Sequence, residues 1–154
     1  MKKLILLSAI FFTSLAFAQS NKEDIDVIQG LYGKEKKAIT ADFIQLEPAS
    51  KDAFWALYDE YEGKRKELGV KRIELLEKYA SSYMSLDDAT TSQIIKEMIA
   101  LASQQEKLIA TYHKKMEKAA GAKAAAQFYQ LEAYFLSAIR MAILDGIPFI
   151  GELK

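Results

Sequence analysis

Cysteine is absent from this chain, histidine occurs once and proline only twice in 154 residues. Without cysteine there is no disulfide framework, no thiolate nucleophile, no cysteine-based zinc site and no thioether lipid anchor. A single histidine excludes a multi-histidine metal cluster. Charge of one sign is lacking too, with 21 Lys plus Arg against 21 Asp plus Glu, so the balance does not point to nucleic acid. There is no Gly-rich phosphate loop and no nucleophile elbow. The acid pairs Asp59/Glu60 and Asp87/Asp88 are chain neighbours on helical segments and point in different directions, whereas a catalytic pair must share one pocket. His113, Met116 and Glu117 fall within one helical turn, but one His-x-x-Met supplies too few ligands for a metal site. The reading is therefore of a protein that is not an enzyme and carries no cofactor or metal.

What is present begins with residues 1–18: Met1-Lys2-Lys3, an apolar run from Leu4 to Phe12, and the small-residue pattern Ala16-Phe17-Ala18 ahead of Gln19. A charged start, an apolar stretch of this length and an A-x-A site predict a secretory signal peptide cleaved between Ala18 and Gln19. Thr13 and Ser14 interrupt the run before it reaches the roughly 20 residues of a membrane span. Cleavage removes Lys2 and Lys3 and no acid, leaving 19 basic against 21 acidic side chains. The expected product, residues 19–154, is one all-helical domain in a bacterial periplasm or outside the cell. No strong membrane binding is expected, since neither the sign nor the size of that charge favours anionic lipid.

Apolar spacing in the rest of the chain is helical throughout, and no stretch alternates with period two. Ile25, Ile28, Leu31 and Tyr32 predict a short first helix, which Lys34 to Ile39 either extend or leave. Pro48 suits the first position of a second helix, where its missing N–H has no partner to lose. That helix is expected to reach Ser82, because Phe54, Tyr61, Leu68, Leu75 and Ser82 recur seven apart, the mark of a long helix in coiled-coil-like contact. Ser85 is expected to cap a third helix carrying Ile94, Met98, Leu101, Leu108, Tyr112 and Met116. Around Ala119-Ala120-Gly121 the helix should stop or kink, and a fourth is expected from Ala122 to Leu144, closed by Asp145-Gly146 and Pro148. The fold class is all-α: four helices dominated by a long antiparallel hairpin.

The head of the second helix, Leu46-Glu47-Pro48 followed by Phe54-Trp55, Tyr58 and Tyr61, resembles the Spy/CpxP-like periplasmic proteins of the LTxxQ superfamily. Glu47 stands where that family has Thr, and Ser50 where it has Gln or Glu. The resemblance implies a helical envelope-stress protein, a cradle-shaped homodimer holding unfolding clients without ATP, with metal sensing or resistance in more distant relatives.

Two groups of residues are candidates for binding. Tyr58, Arg65, Arg72 and Tyr79 form a row beside the heptad positions Phe54 and Tyr61, and guanidinium groups among aromatic rings suit a surface that binds partly unfolded chains. In the competing reading, the arginine stems cover the core while their heads pair with Glu62 or Glu74. The second group lies in the densest apolar stretch, which includes Phe128, Phe135, Ile139 and Met141 and occupies more than one helix face. It predicts a homodimer interface, a client surface, or a core capped by Ile147, Phe149 and Ile150. Arg140 within it needs an acidic partner if buried. The leading expectation is an ATP-independent, chaperone-like binder of unfolded or envelope protein clients. The other is a sensor or regulatory module docking on an envelope signalling partner, with or without metal.

Overall fold

A computed structural model describes residues 22–153, with side chains from residue 32 onward. Residues 1–18, expected from sequence to be a signal peptide, and the side chains of Ile25, Ile28 and Leu31 lie outside that description. Within it the chain is all-helical: α1 (Lys22–Phe43), α2 (Lys51–Ser82) and α3 (Asp88–Gly146), with 3-10 turns at Pro48–Ser50 and Tyr83–Ser85. The helical runs over the described residues number three, the last of 59 residues spanning the expected third and fourth helices with a non-helical break at Gly121. That run is not straight. Gly121 has φ 83° and ψ 166°, a conformation essentially restricted to glycine, and the chain reverses there.

Ion pairs and ring contacts give the register. Lys36 pairs with Glu62 and Lys37 with Asp59, so α1 runs antiparallel to α2. Lys78 with Glu97 and Lys115 with Glu60 set α2 antiparallel to residues 88–120 of α3. Arg140 with Glu106, and His113 edge-on to Tyr129, fold residues 122–146 back along 88–120. The second arm of α3 is thereby parallel to α2, as the contact of Tyr61 with Phe128 and the bond from Tyr79 to Pro148 require.

Local chemistry explains the boundaries. Pro48 opens the turn that leads into α2, its φ being fixed near the helical value. Ser85 is not the cap of α3; it lies in the preceding turn and donates to the Ser82 carbonyl. Asp87 takes that role, accepting from the Thr90 N–H at 2.7 Å with its backbone extended. α1 does not stop early either. It continues through Lys34 to Phe43 because its inner face finds partners on α2 and α3, and tertiary packing outweighs the low helix propensity of Gly30 and Gly33.

The core falls into two apolar clusters. Phe54, Tyr58, Tyr61, Tyr112, Met116 and Phe128 fill the end near the Gly121 reversal, joined by Ile44 from the α1–α2 connection. Leu75, Tyr79, Ile94 and Leu101 fill the other end, with Ile147 against them. Each large side chain fully withdrawn from water contributes about 1.5–3 kcal/mol. Phe54, Tyr61 and Leu75 of the heptad row are buried, while Leu68 is partly so. Between the clusters the interior turns polar.

Candidate functional site

The polar interior is built around Lys36, whose side chain is 1% exposed. Its ammonium lies 2.5 Å from Glu62 Oε1 on α2, and it donates to Glu132 Oε2 on α3 at 2.7 Å. Glu132 is also buried, and the Tyr61 hydroxyl donates to its Oε2 at 2.5 Å. Aromatic rings complete the enclosure: the Lys36 ammonium stands 5.1 Å from the Tyr61 ring centre, 5.8 Å from Tyr58 and 5.6 Å from Phe135. Glu62 in turn accepts from Arg65 Nε at 3.0 Å on both carboxylate oxygens, and the Arg65 guanidinium lies over the Tyr32 ring at 5.2 Å. Three helices thus converge on a chain of alternating charge.

Burial pushes the Glu132 carboxyl up from the ordinary carboxylate range, against the downward pull of Lys36 and of the Tyr61 hydroxyl. Burial likewise raises the Tyr32, Tyr58 and Tyr61 hydroxyls, which stay protonated. Arg72 is shifted down by burial and by the neighbouring Arg140 and Arg65. The charged groups of the network pair with one another and hold α1, α2 and α3 in fixed alignment.

The residues singled out from sequence divide between core and network. Phe54, Tyr58, Tyr61 and Phe128 have no exposed surface, and Tyr79 is 4% exposed with its hydroxyl donating to the Pro148 carbonyl at 2.7 Å. In this fold they are interior residues. Phe135 is half-buried beneath the Lys36 ammonium. Arg65 pairs with Glu62, as the competing reading of the arginine row has it. Arg72 is half-buried beside Gln105 on a small cavity. Arg140 is half-buried and pairs with Glu106 at 3.2 Å.

Sequence reasoning singles out neither Lys36 nor Glu132, the latter a break in the apolar stretch from Leu131 to Leu144. The signal was that break itself: one carboxylate inside the densest apolar stretch must be paired if the stretch is buried.

Among the described residues no three His, Asp or Glu side chains are placed to hold a metal ion. Met116 is wholly buried while Glu117 is exposed, so the two do not face one point with His113. No described helix is long and apolar enough to cross a membrane.

The surface that stands out is apolar and lies at the end of the bundle away from Gly121. After α3 the chain returns over the end of α2. There the Tyr83 hydroxyl donates to the Phe149 carbonyl at 2.6 Å and accepts from the Leu153 N–H at 3.0 Å, while Glu152 accepts from the Phe149 N–H at 2.7 Å. The tail backbone is therefore held, yet Phe149 is 65% exposed, and Ile150, Leu153 and the nearby Met84 also face solvent. Met141 and Leu144 on the second arm of α3 and Ile99 on the first arm also face solvent.

The chain matches no family model, no curated protein and no solved structure.

Proposed function

We propose that this protein is an exported, ATP-independent binding protein that holds partly unfolded protein segments against its apolar end. The observation that carries the reading is the tail. A backbone fixed by Tyr79, Tyr83 and Glu152 presents Phe149, Ile150 and Leu153 outward. Exposed apolar side chains on a frayed terminus need no explanation, but side chains held outward on a bonded backbone form a preordered patch, and such patches mark interaction sites. Export rests on the signal-peptide pattern of residues 1–18, and the helical fold agrees with the resemblance to Spy/CpxP-like proteins. In the four-helix description we adopt, the two arms of α3 count as separate helices around the Gly121 reversal. The homodimer expected from sequence would use the same apolar end, which is then shared between self-association and clients.

The test is light scattering of a chemically unfolded, unrelated protein diluted into buffer with the purified protein at near-stoichiometric amounts and no nucleotide. Suppression of aggregation, lost on Phe149→Glu with Leu153→Glu, is the expected result. Failure at several-fold excess would remove general client holding. It would leave the second reading, a regulatory module docking on one envelope partner, which the rigidity of the same tail also suits and which predicts a single saturable complex.

A further inference from the structure

A second concave surface lies at the opposite end of the bundle, between α1 and the start of α2. It is a groove of about 650 Å³, within the range of small-molecule sites. Its floor is Ala38, Ala41, Ile44, Leu46 and Trp55, and its rim carries Lys34, Lys37 and Lys51. Among the described residues no carboxylate lines it. Lys37 is engaged, pairing with Asp59 and standing 5.4 Å from the Trp55 ring centre. Lys34 and Lys51 are exposed and have no ion pair among the described residues.

We propose that this groove binds a long-chain fatty acid, its carboxylate between Lys34 and Lys51 and its acyl chain along the floor. Charge selects the sign of the ligand: the two free ammonium groups of Lys34 and Lys51 beside an apolar trough favour an anionic headgroup on an apolar body. The floor selects the body. The lining side chains offer no hydrogen-bonding group other than the rim ammoniums and the Trp55 indole N–H. A peptide laid in the trough would bring an amide N–H and C=O with every residue and leave most without a protein partner. A hydrocarbon chain asks for none. The site is independent of the apolar end assigned to protein clients, and either can fail without the other.

Trp55 is the single tryptophan of the sequence, so its emission reports this groove alone. The experiment titrates the purified protein with laurate, dodecyltrimethylammonium and dodecyl maltoside, each below its micelle concentration. A saturable blue shift with laurate is expected, with a response at least tenfold weaker for the other two. Lys34→Glu with Lys51→Glu should weaken laurate binding at least tenfold. Ala41→Phe, at an exposed position on the groove floor, should block it with the helical circular dichroism unchanged. An equal response to the cationic amphiphile, no saturable change, or laurate affinity unaltered in the lysine variant would each overturn the proposal. So would a shift produced by an acidic amphipathic peptide and not by laurate.

Discussion

Lys36 on α1 and Glu132 on the second arm of α3 are 96 positions apart in the chain and 2.7 Å apart in the fold, both withdrawn from solvent. The pair is the centre of the polar interior, and its energetics depend on keeping all partners. Lys36→Met leaves the buried Glu132 without a cation, while Glu62 keeps Arg65. Removing one partner of a buried ion pair costs about 3–5 kcal/mol, and urea denaturation should show a loss of that order. Adding Glu132→Leu and Tyr61→Phe removes the stranded carboxylate and the hydroxyl that served it, and should restore more than half of the loss. A triple variant no more stable than Lys36→Met would show that the network contributes more than mutual compensation.

Two glycines should respond to alanine with opposite sign. At Gly121 an added Cβ meets nothing within 4 Å, but φ 83° with ψ 166° is strained for any L side chain, so Gly121→Ala should cost about 1–3 kcal/mol. Gly63 sits inside α2 with equal space around it, and Gly63→Ala should stabilise by about 0.5–1 kcal/mol. Paired denaturation curves check both, and a neutral Gly121→Ala would mean that the reversal does not need this backbone geometry.

Two carboxyl groups should give stability opposite pH dependences. Hydrogen bonds from Thr90 hold Asp87 below its ordinary value. Its contribution is therefore full above about pH 3.9 and is lost as pH falls through the lower folded-state value. Glu132 is raised by burial, so its contribution is full below about pH 4.3 and declines as pH rises through the higher folded-state value. Urea midpoints measured from about pH 3 to pH 8 should lose their acid-side fall in part with Asp87→Ala, and Glu132→Gln should remove an opposing slope. Ser85→Ala, outside the cap, should leave the profile as it is.

Tyr83→Phe removes the hydroxyl that both donates to Phe149 and accepts from Leu153. The tail should then fray, seen as faster amide exchange at residues 149–153. Aggregation suppression should weaken while the bundle's denaturation midpoint changes little. Met141→Glu, at a position 57% exposed, should also weaken suppression within about 0.5 kcal/mol of wild-type stability.

Periodicity made much of this fold legible. The seven-residue spacing located α2 to its last residue, Ser82, and Gly121 marked the reversal because glycine alone takes its backbone angles at no steric cost. Asp87 was read as part of a helix start, but the cap was placed at Ser85, since sequence offers several short polar residues in a row and only the backbone path chooses among them. The binding residues fared differently. Phe54, Tyr58, Tyr61 and Phe128 carry the composition of a sticky surface, and the same composition makes a core; burial depends on partners that periodicity does not identify. Lys36 was invisible for the complementary reason. A lysine on a helix reads as solvated, and its carboxylate partners lie on two other helices.

The polar belt between two apolar clusters also fixes alignment. Greasy side chains are forgiving neighbours, and a helix sliding one turn, about 5.4 Å, trades one set of such contacts for another of similar worth. An ammonium seated between Glu62 and Glu132 has no comparable second seat. The belt acts as an indexing pin, turning a bundle that could settle at several offsets into one with a single setting.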